Sequence, residues 1–412
     1  MTHWTNHAIW WHIYPLGFSN SPIHGSNHPP AHRLPQLINW LDYTVELGVN
    51  GLSLGPIFSS ATHGYDTVDH FQIDPRLGSI EDFQALIAAC TDRGLHVILD
   101  GVFSHVGLKH PSYQQALTDG KDSPAAQLFA INWSHGTPTP AVFEGHKNLV
   151  RFNHQSQQTI DYTAKVMTHW LQYGIAGWRL DAAYSVAPEF WAQVLSQVRP
   201  QFPNAWFVGE VIHGDYSAFT KESTVDSLTQ YELWKAIWSS IHDQNFFELD
   251  WCLNRHNTFL ETFIPHTFIG NHDVTRIASK IGRSETFLAM AILLTTGGIP
   301  AIYYGDEQGF TGIKEECLGG DDAIRPAYPE TPEDLIQGDP EMYRAYQDLI
   351  GIRRRNPWLV QAQTNALTLE NKHYVYRSYA PDGDNYLETH LSVDPVATVT
   401  IKDQHRTVLW QH

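Results

Sequence analysis

The chain has 412 residues, 42% hydrophobic and 12% aromatic, enough to bury one large core and a second small one. Its formal net charge of −18 argues against a nucleic-acid or anionic-membrane partner. The three cysteines, Cys90, Cys252 and Cys317, are odd in number and far apart, which excludes a disulfide framework and a cysteine metal site.

The opening Met-Thr-His-Trp is not a basic-then-apolar leader, and no apolar run approaches the ~18 residues of a membrane span, so a cytoplasmic protein is expected. Asn132-Trp133-Ser134 matches a glycosylation acceptor and is read as chance in that setting. Residues 9–14, Ile-Trp-Trp-His-Ile-Tyr before Pro15, predict a first buried strand. A Pro/His/Asn/Ser loop over 19–33 follows. Leu37, Ile38, Leu41, Val45 and Leu47 then recur at roughly helical spacing. Residues 51–54 predict a second strand, broken by Gly55-Pro56. A loop carrying His63-Gly64-Tyr65-Asp66 runs to about His70. A helix over 80–90 opens at Ser79 with Glu81 and Asp82 in its first turn and stops at Gly94. Residues 97–100 make a third strand. The order β, α, β, α, β with short connections predicts a parallel sheet covered by helices.

Residues 106–155 hold scattered Pro, Gly, His and Asp with no sustained period, and an excursion of that length reads as functional or as a small inserted domain. The alternation resumes with a helix over 159–172, a strand over 177–181 and a helix over 188–198. Further strands are expected over 206–210, 227–231, 267–273 and 299–304. Eight strands with intervening helices predict an α/β fold, a (β/α)8 barrel. A last helix over 342–354 ends at Asn356-Pro357. Beyond it, β-branched and aromatic runs at 374–376 and 396–401 predict a small C-terminal β domain. The expected divisions are a first barrel part over 1–105, the insert over 106–155, a second barrel part over 156–358 and the β domain over 359–412.

The active site of such a barrel lies at the C-terminal ends of its strands. Asp100 ends the third strand, with His105 beyond it. Arg179 and Asp181 end the fourth; two apart on a strand, they point to one side, although alone they read equally as an ion pair at a sheet end. Glu210 ends the fifth strand and Asn271-His272-Asp273 the seventh. The loop after the second supplies Tyr65 and Asp66. Two carboxylates facing each other across a bond suit glycoside hydrolysis. The apolar run Trp206-Phe207-Val208-Gly209 is expected to raise the pKa of Glu210, and Arg179 to lower that of Asp181, splitting acid from nucleophile. No zinc-binding His-Glu-x-x-His, phosphate loop or serine elbow is present. Gly297-Gly298 reads as a tight turn, and Tyr303 and Tyr304 as barrel filling.

Asp100-Gly-Val-Phe-Ser-His105, Gly177-Trp-Arg-Leu-Asp181, Val208-Gly-Glu210 and Phe268-Ile-Gly-Asn-His-Asp273 resemble the four ordered motifs of the α-amylase family, glycoside hydrolase family 13. The likeness runs from Ile13-Tyr14-Pro15 through Gly64-Tyr65-Asp66 to residues 299–306. It implies a retaining mechanism on α-glucosidic bonds, with Asp181 as nucleophile, Glu210 as acid/base and Asp273 as the third carboxylate. It makes Arg179 the holder of the nucleophile, His105 and His272 hydroxyl binders, Tyr65 the ring under the sugar and Asp100 a structural aspartate. The excursion matches the family's B domain and the tail its C domain. The family's first motif usually carries, before its His, an Asn that ligates calcium in many amylases. Here it is Ser104, a poorer hard-cation ligand, and no metal or other cofactor is expected. Residues 148–153 loosely resemble an extra motif of the neopullulanase and cyclomaltodextrinase group, whose N-terminal domain is not expected ahead of residue 9. The segment over 309–328, with Asp321, Asp322 and Arg325, reads equally as a lid that brings Arg325 to the substrate or as a surface ion pair. The expected partner is an α-glucan or oligosaccharide substrate. A hydrolase leads; a transglycosylase or trehalose synthase-like isomerase shares its intermediate. The intact acid set argues against a non-catalytic binding protein.

Overall fold

Apolar residues on both sides of each short strand require a sheet buried on both faces, and a parallel sheet wrapped by helices supplies that. The computed structural model describes residues 4–23, 29–134, 137–317 and 319–412. The first three residues of the leader reading and the middle of the loop expected over 19–33 lie outside the described residues. The barrel strands are β1 (Trp10–Ile13), β2 (Gly51–Leu54), β3 (His96–Gly101), β4 (Gly177–Leu180), β5 (Trp206–Gly209), β6 (Ser227–Leu228), β7 (His266–Phe268) and β8 (Ile299–Tyr303). They form one eight-stranded sheet in the order β6-β5-β4-β3-β2-β1-β8-β7. Its ends meet through a single parallel bridge, Thr229 to His266, where the Gln230 N–H donates to the His266 carbonyl at 2.8 Å.

Within each strand alternate residues divide between two cores. Trp10, Ile98, Trp206, Val208 and Phe268 fill the barrel, with Trp10 and Trp206 stacked at 5.6 Å. Trp11, Leu99, Trp178, Leu180 and Phe207 pack outward under the helices. The inward rows include Asp100 and Arg179 near the ends of β3 and β4 and continue into Asp181 and Glu210 just beyond β4 and β5, so one parity delivers the charged residues to one rim. Gly177 starts such a row because a Cβ there would lie 1.9 Å from the Trp206 carbonyl oxygen.

Several local expectations change. The helix around 37–47 is two helices, Leu34–Asn39 and Leu41–Leu47, because the turn at Trp40 buries its indole and lets Nε1 donate to the Pro329 carbonyl at 3.1 Å. The loop over 55–70 is a hairpin, Phe58–Ser60 with Thr67–Ile73, whose register shifts break up the period-two pattern. β6 spans two residues, and β7 stops at Phe268, leaving 269–273 as irregular rim.

The insert has a small core of its own around Val106, Tyr113, Phe129, Val150 and Phe152. Its strands His105–Gly107, His146–Arg151 and Val142–Phe143 pair antiparallel. The tail folds as five sequential antiparallel strands, β9 (Gln363–Leu369), β10 (His373–Tyr379), β11 (Tyr386–Ser392), β12 (Thr398–Asp403) and β13 (Val408–Gln411). It packs on the helix Arg283–Thr295, whose residues 286–295 are all buried.

Candidate active site

Asp181 and Glu210 leave their strands with the backbone still tied to the sheet. The Asp181 N–H donates to the Gly101 carbonyl at 3.0 Å and the Glu210 N–H to the Leu180 carbonyl at 2.9 Å. Ala182 then turns the chain in a left-handed conformation, φ 45°, and its N–H donates to Glu210 Oε2 at 2.8 Å. That conformation is strained for a residue with a Cβ and here aims an amide at a carboxylate.

One guanidinium organises the acids. Arg179 Nη1 lies 2.6 Å from Asp100 Oδ2 and 3.3 Å from Asp181 Oδ1, and Nη2 lies 2.6 Å from Glu210 Oε1. Its short contacts therefore go to Asp100 and Glu210, and Asp181 receives the longest one. Glu210 is not in the apolar setting expected of it. Besides Arg179 and Ala182, the Tyr231 hydroxyl donates to it at 3.0 Å, and Asn271 Nδ2 donates to that hydroxyl at 2.9 Å. The expected lowering of Asp181 is also overturned: burial and the charge of Glu210 push its pKa up, and Arg179 offsets only part of this. Asp273 goes the other way. Burial opposes its charge, but His272, with Nε2 at 3.0 Å, and Arg325 hold it well below the usual carboxylate range.

Tyr65 is carried by the turn of the 58–73 hairpin. Gly64 takes φ 94° there, and Asp66 accepts the Thr62 N–H and hydroxyl at 3.0 and 2.8 Å. The Tyr65 hydroxyl donates to Asp100 Oδ2 at 3.0 Å and contacts His272 Nε2. Asp100, 1% exposed, thus serves Arg179 and Tyr65 and faces no solvent. His105 Nε2 lies 2.9 Å from the Tyr65 carbonyl and must carry the proton; Nδ1 then accepts from the Ser104 hydroxyl at 2.7 Å. Burial lowers the His105 pKa to about 4. Both its ring nitrogens are engaged inside the protein, which leaves none directed at a sugar hydroxyl.

Ser104 stands where the resemblance places an amide cation ligand. Its hydroxyl is fully buried and used by His105, and its carbonyl accepts the Phe152 N–H at 3.2 Å. These residues do not fit a bound cation. Among the described residues no three His, Cys, Asp or Glu side chains are grouped to hold a metal ion.

Arg325 is at the site, not on the surface. It is 7% exposed, donates from Nε to the His272 carbonyl at 2.9 Å, and places Nη2 3.3 Å from Asp273 Oδ1 and 2.9 Å from Asp321 Oδ2. Tyr303 and Tyr304 are buried in the larger core cluster that packs under the helices, not among the barrel-filling residues, and they hold this segment. Their hydroxyls donate to the carbonyls of Ile324 and Pro326 at 3.0 and 2.9 Å, one on each side of Arg325.

These residues border two adjoining cavities, of about 430 and 460 Å³, that share His63, Tyr65, His146 and Asp273. One contains Asp181 and Glu210, the other Asp321 and Arg325, and Asp273 borders both, so the two form a single cleft. Such a cleft can hold a chain of sugar units with two carboxyl groups at the joint between them. Of the groups that hold Glu210, Ala182 and Tyr231 escaped the sequence reading. A backbone amide leaves no trace in composition, and Tyr231 was placed at a strand end without a partner.

The family model for the alpha-amylase catalytic domain matches residues 12–365. A maltogenic alpha-amylase of Bacillus acidopullulyticus is 29% identical over 388 residues, 86% of this chain and 64% of that one. A cyclomaltodextrinase of Geobacillus thermopakistaniensis is 28% identical over 402 residues, 90% of this chain and 67% of that one. The chain thus spans about two thirds of the length of these curated relatives. The solved cyclic alpha-maltosyl-(1→6)-maltose hydrolase of Arthrobacter globiformis, in complex with that sugar, superposes with a TM-score of 0.82 at 25% identity, covering 94% of this chain and 91% of that one. With the family's motifs at the strand ends and its catalytic domain matched over most of the length, the chain belongs to the alpha-amylase family.

Proposed function

We propose that the chain is a retaining glycoside hydrolase of α-linked, chiefly α-1,4, maltooligosaccharides or related α-glucans. The observation that carries this reading is the convergence of Asp181, Glu210 and Asp273, from three different strand ends, on one cleft. Asp181 and Glu210 share a single guanidinium, which fits the short carboxyl separation of retaining enzymes, about 5 Å. Asp181 attacks the anomeric carbon while Glu210 gives its proton to the departing oxygen. The glycosidic bond breaks and an ester to Asp181 forms. Water then attacks that carbon, its proton passes to Glu210, and Asp181 leaves as a carboxylate. Burial and the neighbouring charge of Glu210 push the Asp181 pKa up, and Arg179 offsets part of this. Asp273, kept charged by His272 and Arg325, receives sugar hydroxyls, and Tyr65 lies beneath the sugar ring.

The names of the relatives, maltogenic amylase and cyclomaltodextrinase, support the substrate class. No cofactor takes part in the proposed steps. Among the described residues no helix is long and apolar enough to cross a membrane, and a cytoplasmic setting belongs to the same proposal. Water is the expected acceptor on dilute substrate because the insert is short and sugar is outnumbered. Product analysis from dilute maltotriose tests this. Glucose and maltose alone support hydrolysis; early longer oligosaccharides, or trehalose from maltose, would put transfer or isomerisation in its place.

A further inference from the structure

The insert reaches the cleft through one hairpin tip. Its turn residues Glu144 and Gly145 both have positive φ, 46° and 81°, the geometry of a tight two-residue turn. Glu144 Oε1 accepts a hydrogen bond from the Tyr184 hydroxyl at 2.7 Å. Tyr184 comes three residues after Asp181, so this bond joins the insert to the loop that leaves the proposed nucleophile. A second tie lies beside it, from Arg151 Nη2 to the Ser185 carbonyl at 2.8 Å. On the inner side the Phe143 ring lies 4.5 Å from that of His105.

Glu144 and Tyr184 line the cavity that contains Asp181, Glu210 and Ile212, and not the one that contains Asp321 and Arg325. The loop that carries Tyr184 lies against Glu210, with the Tyr184 N–H donating to the Glu210 carbonyl at 3.1 Å and the Ala182 N–H to Oε2 at 2.8 Å, and a proton donor stands beside the leaving oxygen, so the pair lies on the side of the departing sugar. We propose that Glu144 and Tyr184 are the specificity-determining pair for that leaving-group sugar, a hydroxyl-bearing hexose. The inference rests on the hydrolase reading above and adds to it what the enzyme demands of the leaving group.

The chemistry of the pair fits this task. Burial and the neighbouring Glu144 push the Tyr184 hydroxyl up, so it stays a donor at every working pH. The Glu144 carboxylate accepts only, with lone pairs left over after Tyr184 is served. A sugar hydroxyl can donate to the carboxylate and accept from the phenol, entering the existing bond without leaving either group unpaired. A leaving group without hydroxyls gains nothing from the pair.

Two substrates with the same glycone separate these cases. Maltotriose and α-maltosyl fluoride both deliver a maltosyl unit to Asp181, but one departs as glucose and the other as fluoride. The readout is the ratio of kcat/KM for maltotriose to that for α-maltosyl fluoride. In both Tyr184→Phe and Glu144→Gln the ratio should fall about tenfold, the size expected for one charge-assisted hydrogen bond. A ratio within about twofold of wild type in both variants overturns the assignment, and an equal loss on both substrates counts as that outcome. Absence of fluoride release by the wild-type enzyme would instead overturn the hydrolase reading, and the role of the pair with it.

Discussion

Asp181 is under opposing demands. As the proposed nucleophile it must be ionised to attack, yet its burial and the nearby charge of Glu210 favour the protonated form. A carboxyl whose pKa is raised on folding adds stability below the ordinary carboxylate value, and that stability is lost as pH rises. At neutral pH the charged Asp181 is therefore a strained group. Asp181→Asn keeps the shape and removes the charge. Turnover on maltotriose should fall at least ~10⁴-fold. The melting temperature should rise by about 1–3 °C at neutral pH, with the gain vanishing toward acid pH. Calorimetry of both proteins across pH checks the sign; a wild type more stable than the variant at neutral pH would refute the strain. Strand-end position made these acids legible from sequence, because side-chain parity is a local property. Their electrostatics were not, because Val208 and Gly209 beside Glu210 carry no record of Tyr231, Ala182 and Arg179 arriving from elsewhere.

Among the elements, the helix Arg283–Thr295 is the least typical. It lies between the barrel and the C-terminal sheet, is apolar on every face, and so presents no helical period to find in the sequence. The insert's strands were missed for another reason: they are two to six residues long, too short to show alternation. The C-terminal end of the buried helix poses a distinct problem, since its last carbonyls have no partners in the helix. Arg353 answers it, donating from Nη1 to Leu294 and Thr296 at 3.1 and 2.9 Å and from Nη2 to Gly298 at 2.5 Å. Arg353→Met keeps the packing and strands those oxygens. It should cost about 3 kcal/mol and lower the melting temperature by several degrees, with KM for maltotriose unchanged. Denaturant unfolding measures the loss, and an unchanged midpoint would show that water satisfies the carbonyls.

At the scale of the whole molecule the insert is tied to the barrel by direct hydrogen bonds. Ser104 turns inward to fix the His105 ring, and the hairpin tip is tied by Tyr184 and Ser185. Prolonged dialysis against a chelator should therefore leave both activity and melting temperature nearly unchanged. A large fall restored by calcium would refute this. The order of the eight barrel strands was legible because each buries its own apolar residues. The fate of the segment over 309–328 was not, since Arg325 could be drawn to Asp321 or to Asp273, and it reaches both only because Tyr303 and Tyr304 grip its flanks.

The barrel is a ring of seven ladders and one rivet. Among the described residues every neighbouring pair of strands forms a ladder except β6 and β7, whose backbones meet at Thr229 and His266, with the Ser227 hydroxyl on the Ile264 carbonyl beside them. A ring under thermal load parts at its weakest joint, and here that joint flanks Tyr231, which donates to Glu210, and Asn271, which donates to Tyr231. Deuterium should enter the amides of Gln230 and of the β7 flank before those of β1 to β4, and saturating the cleft with a bound oligosaccharide should slow that entry. The same weak joint that keeps the ring from being a rigid cylinder would let the acid shift against its neighbours as one sugar leaves and the next acceptor arrives.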